Sequence, residues 1–210
     1  MTLLIHQNQD ISLPPAGRTP PGADLLSVIS QLRAENASLQ LEVQRLAGYE
    51  SLAYRDHLTG LLNRRAFAER LDEECARVRR GPDYQFAIVV IDVDEFKSIN
   101  DTYGHTTGDE VLSTIGFLLE RNVRNVDLCY RIGGDEFAII LPGTDEAGCE
   151  IVIQRLAARM SIAVSTLRPM VSLSFGTAAA PPGEANTEAI VAAADEAMYR
   201  DKRRRKEARG

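Results

Sequence analysis

The stretch Leu128-Cys-Tyr-Arg-Ile-Gly133-Gly134-Asp135-Glu136-Phe-Ala-Ile-Ile-Leu141 holds two apolar runs on either side of a pair of glycines. The runs 128–132 and 136–141 have the length and the β-branched and aromatic content of strands. Both glycines can take a positive φ, which a tight two-residue hairpin loop demands. The stretch therefore predicts a β-hairpin with an acidic pair directly after its loop.

Further elements are predicted outward from this hairpin. The segment Phe86–Asp92 is continuously apolar up to its last residue and predicts a buried strand. We expect helices after Asp94, near Gly108, from about 145 to 160 and from 187 to about 205, and a strand over 170–177. Helices and strands that alternate around a hairpin suit a central, mostly antiparallel sheet flanked by helices. The predicted fold class is α+β, which is α/β in the broad sense.

Apolar residues recur with heptad spacing ahead of this domain. The d positions are Leu25, Leu32, Leu39, Leu46 and Ala53, and the a positions are Ile29, Asn36, Val43 and Glu50. Leucine at d, β-branched residues at a and one asparagine at a favour two parallel helices in fixed register. The pattern predicts a coiled-coil dimerisation helix over residues 23–54, which would make the protein a homodimer. The alternative is one amphipathic helix lying on its own domain.

Residues 1–22 predict a disordered tail, because prolines are frequent and large apolar residues are few. Such a tail could bind a regulatory protein. Residues 55–210 would then form the globular domain, and 44% hydrophobic residues supply enough material for its core.

Composition excludes several function classes. The formal net charge of -6 argues against a general nucleic-acid partner. No apolar run approaches the length of a membrane span, so we expect a cytoplasmic protein with no membrane partner. The cysteines, Cys75, Cys129 and Cys149, are odd in number and widely spaced, which favours buried structural thiols over disulfides.

Two acidic pairs carry the candidate chemistry. Asp92 and Asp94 end the predicted buried strand, and their spacing puts both on one face if the extended backbone continues. Asp135 and Glu136 follow the glycines directly. Carboxylates at the ends of neighbouring strands offer the hard oxygen ligands that Mg²⁺ shares with water and phosphates.

These segments also resemble a known family. Residues 131–137 resemble the signature of the GGDEF domain, and further blocks of the family stand in the expected order. They are residues 56–65, 92–105, 108–112, 174–176 and 194–199, so that the resemblance covers residues 54 to about 202. It implies a diguanylate cyclase that joins two GTP molecules into cyclic di-GMP, with a fold similar to polymerase palm and nucleotidyl cyclase domains.

The resemblance also implies a role for individual residues. Two Mg²⁺ ions per active site, or Mn²⁺ in their place, would be held by Asp92, the Val93 carbonyl, Asp135 and Glu136. Asn100 and Asp109 would bind guanine. Other substrate contacts would come from Phe96, Lys97, His105, Gly133, Gly134, Lys202 and Lys206. One domain holds one GTP, so the homodimer would bring two half-sites together.

The segment Arg124-Asn-Val-Asp127 resembles the family's product-inhibition site, where cyclic di-GMP binds. Arg155 would add a second contact to that ligand. A helix-end ion pair between Arg124 and Asp127 is the structural alternative. The chain departs from the family after Lys202. Lys206 replaces the usual phosphate-binding arginine, and residues 203–210 do not contain the Gly-Arg-Asn-like turn, so we expect the closing strand to be either missing or supplied otherwise.

Two other functions stay open at this point. One is a catalytically inactive module that binds GTP or cyclic di-GMP and signals through its coiled coil. The other is a mixed guanine-adenine product. Adenine lacks the donors that Asp109 should pair with, which argues against the mixed product.

Overall fold

The computed structural model describes residues 25–81, 83–164 and 169–207. The predicted tail, residues 1–22, lies outside the described residues. The chain divides into two compact units, Met1–Gly48 and Tyr49–Gly210, and each is described by itself. Across the described part of the chain, no helix is long and apolar enough to cross a bilayer.

Helix α1 spans Leu25–Tyr54 and contains all of the first unit that is described. Its heptad residues Leu32, Leu39 and Val43 are 59%, 56% and 64% exposed. An exposed apolar stripe on a long helix is what the coiled-coil prediction requires. Dimerisation and the predicted division into domains stay predictions.

The second unit is a five-stranded sheet with helices on both faces. Its strands are β1 (Leu62–Asn63), β2 (Phe86–Val93), β3 (Leu128–Arg131), β4 (Glu136–Pro142) and β5 (Leu173–Ala179). Its helices are α2 (Arg64–Arg80), α3 (Phe96–Tyr103), α4 (His105–Asn122), α5 (Glu146–Val164) and α6 (Thr187–Glu207). The strand order is β1-β3-β4-β2-β5, and only the β1–β3 pair is parallel. The predicted α+β fold is confirmed.

Strand β2 lies inside the sheet between β4 and β5, and all eight of its residues are buried. Alternate residues of β2 enter two cores. Val89 and Ile91 pack with α4 and α5 on one face, whereas Ile88 and Val90 pack with α2 and α6 on the other. Burial on both faces explains why the segment is continuously apolar instead of alternating.

The hairpin differs from its prediction in one respect. Neither Gly133 nor Gly134 has a positive φ, so the tight mirror-image turn that we expected is wrong. The loop spans residues 132–135, and the N–H groups of Ile132 and Gly133 both donate to the Glu136 carbonyl, at 2.9 and 3.2 Å. A longer loop reverses the chain without left-handed residues, so the glycines are needed for another reason.

Candidate active site

The register of β2 against β4 brings the two acidic pairs together. Asp92 lies directly opposite Glu136 in the antiparallel ladder. One step further, the Val93 N–H donates to the Asp135 carbonyl at 3.1 Å. Residues far apart in sequence therefore meet at one end of the sheet because the β2–β4 pairing continues to its last residue.

Asp94 reaches the same site by a different route from the one predicted. The extended backbone ends at Val93, and Glu95 adopts a left-handed conformation with φ 56°. The buried Asp94 carboxylate accepts hydrogen bonds from the Ser172 and Ser174 hydroxyls at 2.5 and 2.6 Å. Ser174 is also the β5 partner of Asp92. These hydroxyls fix the position of Asp94 near Asp92.

The charges at this site are only partly compensated. The Lys202 ammonium donates to Asp92 Oδ1 at 2.6 Å. Burial raises the pKa of Asp92, the Lys202 hydrogen bond opposes that shift, and the negative charges of Asp135 and Asp94 add to it. The pKa of Glu136 is raised by burial first and then by Asp135 and Asp92. Burial first, and then repulsion between neighbouring carboxylates, opposes the ionisation of Asp92 and Glu136.

Lys202 responds to the same field. Burial lowers its pKa, but the hydrogen bond to Asp92 and the charges of Asp94 and Asp135 outweigh burial, so the pKa is raised. The ammonium group is held by the acidic cluster as its local counter-ion.

This donor set suits a divalent cation. Within residues 25–81, 83–164 and 169–207, no three His, Cys, Asp or Glu side chains already form a metal-binding group. Mg²⁺ seldom needs such a cage, since it binds through one or two carboxylates, waters and substrate phosphates. Hard oxygens with excess negative charge fit that requirement, and Asp92, the Val93 carbonyl, Asp135 and Glu136 are the groups present.

Gly133 is needed because Glu136 approaches it closely. A Cβ on Gly133 would lie 2.4 Å from Glu136 Oε2, a distance that requires a side chain to move. A Cβ on Gly134 would meet nothing within 4 Å. The first glycine thus admits the Glu136 carboxylate, and the second leaves open space beside the loop.

The predicted guanine residues lie where α3 and α4 meet. Asn100 Oδ1 is buried without a hydrogen-bond partner among the described residues, and it lies against Gly108. A Cβ on Gly108 would come within 1.9 Å of that oxygen. Asp109, the next residue, and His105, the first residue of α4, are both exposed. The helix begins three residues earlier than expected because Gly104, with φ 86°, ends α3 and starts α4.

The remaining predicted phosphate contacts are spread over α3 and α6. The Phe96 ring is half-buried against Gly108, and Lys97 is exposed beside it. Lys206 is exposed near the end of α6, one turn beyond Lys202. The structure brings Lys202 to the acidic cluster, whereas Lys206 is exposed to solvent.

The predicted inhibitory site forms a closed turn. Asp127 is buried, and its Oδ2 accepts the backbone N–H of Arg124 at 2.8 Å, while its own N–H donates to the Arg124 carbonyl. No ion pair joins the two side chains in the described structure, and Asp127 Oδ1 is buried without a hydrogen-bond partner there. Both residues line a cleft of about 280 Å³. Arg155 is exposed on α5 and does not line that cleft.

One residue near the site was given no role by sequence reasoning. The Arg131 guanidinium donates to Asp56 Oδ1 at 3.1 Å and to the Gly134 carbonyl at 2.8 Å. It thereby ties the loop between β3 and β4 to the turn that follows α1. An arginine two residues before the first signature glycine was the available signal, but its partner at position 56 is visible only in the fold.

Comparisons with known proteins agree with this geometry. The family model described as diguanylate cyclase, GGDEF domain, matches residues 53–208. The response regulator PleD of Caulobacter vibrioides is 42% identical over 157 residues, which cover 72% of this chain and 34% of PleD. The diguanylate cyclase DgcP of Pseudomonas aeruginosa is 42% identical over 156 residues, which cover 72% of this chain and 23% of DgcP. The matched region is therefore about a third or less of these curated relatives.

Among solved structures, this chain is similar to the coiled coil and GGDEF domain of DgcB from Caulobacter crescentus in complex with c-di-GMP. The TM-score is 0.73 at 30% sequence identity, and the match covers 84% of this chain and 95% of that chain.

Proposed function

We propose that this chain, which belongs to the GGDEF-domain family of diguanylate cyclases, condenses two GTP molecules into cyclic di-GMP and releases two pyrophosphates. In each half-reaction the 3'-hydroxyl of one GTP attacks the α-phosphorus of the other and gives up its proton. A new P–O bond forms as the bond from the α-phosphorus to the bridging oxygen breaks. The observation that carries the proposal is the meeting of Asp92, Asp135 and Glu136 at one sheet end, where burial and mutual repulsion keep the pKa values of Asp92 and Glu136 raised despite Lys202.

The acidic cluster is the proposed metal site. Asp92, the Val93 carbonyl, Asp135 and Glu136 would hold Mg²⁺ or Mn²⁺. When bound, the cation would offset phosphate charge and lower the pKa of the attacking hydroxyl. The chain's own task is to present these oxygens in a fixed arrangement, which the β2–β4 ladder and the Gly133 contact provide.

Guanine would be bound at the junction of α3 and α4. Because Asn100 Oδ1 lies against Gly108, the amide nitrogen is the group left to donate to guanine O6. The exposed Asp109 carboxylate would accept from guanine N1–H and N2–H. Adenine has neither donor, so it would leave that carboxylate unpaired.

The phosphates would lie between this junction and α6. Lys202 is held beside Asp92, and its ammonium group would also be within reach of phosphate oxygens bound at the acidic cluster. The backbone at Phe96 and Lys97 and the side chains of His105 and Lys206 complete the proposed substrate contacts. Lysine at position 206 supplies a charge without the planar guanidinium of arginine, so we expect it to bind phosphate more weakly.

Catalysis would require two copies of the chain. A domain that binds one GTP cannot align two of them, so a two-fold axis must bring two half-sites together. The exposed Leu32, Leu39 and Val43 of α1 supply a seam for such a dimer, with Asn36 fixing its register.

Product inhibition is proposed for the turn at Arg124 and Asp127. The unpaired Asp127 Oδ1 and the Arg124 side chain line one cleft, and together they can pair with a guanine edge or a phosphate. Arg155 would join from α5 only when ligand is present.

Product analysis tests the proposal. Purified protein, GTP and Mg²⁺ are expected to give cyclic di-GMP by mass spectrometry, and Arg124→Ala should extend the linear phase of the reaction. If neither wild type nor Arg124→Ala makes a cyclic dinucleotide while both still bind GTP, the inactive signalling module is the better description.

Base selection gives a second test. Asp109→Ser removes the carboxylate that pairs with guanine, so the preference for GTP over ATP should fall by about tenfold or more. Competition between the two nucleotides measures it. Asp101→Ser, at an exposed acidic position of α3, is the matched control. Unchanged selectivity in Asp109→Ser would remove Asp109 from the guanine site.

A further inference from the structure

The C-terminal part of α6 has few contacts with the core. The last buried residue of the helix is Ala194, and every residue from 195 to 207 is half-buried or exposed. Lys202 lies in this part, yet its ammonium group donates to Asp92 Oδ1 at 2.6 Å. A segment with few buried apolar contacts is easily displaced. The position of Lys202 therefore depends on contacts other than core packing.

One such contact lies at Gly176 of β5. A Cβ on Gly176 would overlap the Ala194 carbonyl oxygen and the Met198 nitrogen, so the helix backbone lies directly on the strand. This contact fixes α6 at residues 194–198. Lys202 lies about 6 Å further along the helix axis, at a rise of about 1.5 Å per residue. A small rotation about Gly176 would therefore move the ammonium group away from Asp92.

Asp201 provides a second attachment of α6 to β5. Its Oδ2 accepts the backbone N–H of Phe175 at 3.1 Å. Arg205 Nε donates to the same oxygen at 2.8 Å, and the Asp201 side chain is only 19% exposed. A backbone N–H is fixed by its strand, so this hydrogen bond ties the last turns of the helix to the sheet.

The two helix residues contact neighbouring positions of the sheet. Phe175, which binds Asp201, is the β5 partner of Ile91. Asp92, which binds Lys202, is the next residue of β2. Successive residues of a helix are joined rigidly, so fixing Asp201 also fixes the backbone from which the Lys202 side chain extends.

We propose that Asp201 is a positioning residue, which anchors the last turns of α6 to Phe175 and thereby keeps the Lys202 ammonium group at the acidic cluster. The proposal rests on the proposed function, in which Lys202 contacts the phosphates of GTP. Asp201 itself would not touch the substrate. Its Oδ2 accepts from Phe175 and Arg205, and its Oδ1 lies 3.6 Å from the Arg204 guanidinium.

A purely electrostatic role for Asp201 predicts the opposite effect on binding. GTP is an anion, so the removal of a negative charge near its site should strengthen binding. The loss of an anchor for Lys202 should weaken binding instead. The direction of the change in Asp201→Ala therefore separates the two roles.

The affinity of the whole chain for α,β-methylene GTP with Mg²⁺ tests the proposal, because this analogue binds without reacting. Lys202→Met removes a charged donor and should reduce the affinity by about tenfold, and Asp201→Ala should reduce it by about fivefold. In the Lys202→Met background, Asp201→Ala should change the affinity by less than about twofold, since no ammonium group is left to position. An equal loss in both backgrounds, or tighter binding by Asp201→Ala, would overturn the proposal.

Two further variants separate the anchor from helix stability. Asp201→Asn keeps an oxygen that can accept the Phe175 N–H and should retain most of the wild-type affinity. Glu196→Ala is the matched control, because it removes an exposed acid that is paired with Arg200 on the same helix at 2.7 Å. It should change the affinity by less than about twofold. A loss in Glu196→Ala as large as that in Asp201→Ala would show that helix stability, and not the anchor, is responsible.

Hydrogen exchange supplies a readout that needs no nucleotide. The Phe175 amide should exchange faster in Asp201→Ala than in wild type and at the wild-type rate in Glu196→Ala. An unchanged rate for Phe175 in Asp201→Ala would contradict the anchor. The proposed function fails by a different result, a wild type that binds the analogue but forms no cyclic di-GMP from GTP.

Discussion

One carboxylate, Asp56, and one cluster of carboxylates, Asp92, Asp135 and Glu136, lie near the loop that joins β3 to β4, and their charges are compensated to different degrees. Asp56 accepts hydrogen bonds from Thr59 and from the Arg131 guanidinium. Burial opposes its ionisation, but these partners outweigh burial, and the pKa of Asp56 is lowered. This carboxylate is more stable charged in the folded protein than in water.

The group at the ends of β2 and β4 shows the opposite balance. Asp92, Asp135 and Glu136 stand together with Lys202 as their hydrogen-bonded cation, and the pKa values of Asp92 and Glu136 are raised. The fold keeps like charges together at a cost in stability. Carboxylates in that state indicate a binding site for positive charge, whereas a paired carboxylate such as Asp56 indicates a structural contact.

The largest expected effects separate these two roles. Asp135→Asn should reduce cyclic di-GMP formation by about 10³-fold or more, because it removes a proposed metal ligand. Its free energy of unfolding should stay level or rise, since Asp92 and Glu136 lose a repelling neighbour. Asp56→Asn should instead lower the free energy of unfolding by about 2 kcal/mol, because Arg131 loses a charged acceptor. Urea titration and initial rates measure the two quantities.

Thermal shift with Mg²⁺ supplies a readout that does not depend on turnover. Wild type and Asp56→Asn should both be stabilised by the ion, and Asp135→Asn should respond much less. An Asp135→Asn protein that is destabilised like Asp56→Asn would show that the Asp135 charge is compensated as well as that of Asp56.

The two signature glycines allow a smaller test of the second group. Gly133→Ala forces Glu136 Oε2 away from a new Cβ and should lower the free energy of unfolding by about 1–3 kcal/mol. Gly134→Ala meets no atom and should change it by about 0.5 kcal/mol or less. Should Gly134→Ala keep its stability but lose GTP affinity, the open space beside the loop is part of the nucleotide site. Equal stability losses in both variants would contradict the contact with Glu136.

The sequence predicted the fold to the extent that local patterns determine it. The apolar run 86–92 became a central strand, and the predicted final helix, 187 to about 205, differs from α6 only at its end. We predicted a turn in which both hairpin glycines have a positive φ, and the longer loop does not need that geometry. Gly133 is needed because Glu136 approaches it closely, and that contact exists only in the folded chain. The strand expected at 170–177 lies at 173–179, since its bounds are set by pairing with β2.

The site was predictable in composition and only partly in arrangement. A motif predicted the acidic residues, and the register of β2 against β4 places Asp92 opposite Glu136. The hydroxyls that hold Asp94 come from positions about 80 residues away, and no local signal pairs them with it. Long-range hydrogen bonds of this kind depend on topology, which sequence patterns leave undetermined.

The smallest expected effect is a pH dependence with opposite signs in the two groups. The folded-state pKa of Asp56 lies below its unfolded value, so its stabilisation is complete above the ordinary carboxyl range and is lost as pH falls through the folded pKa. The folded-state pKa of Glu136 lies above its unfolded value, so its penalty is absent at low pH and grows as pH rises past the ordinary carboxyl range.

Asp56→Asn should therefore be less stable than wild type at pH 7 and approach it near pH 3. Glu136→Gln should be more stable at pH 7, by at most about 1 kcal/mol because solvent screens a half-exposed carboxylate, and the gain should vanish in acid. Unfolding curves at both pH values without divalent cations measure the difference, and a loss of stability in Glu136→Gln at pH 7 would mean that this carboxylate is paired after all.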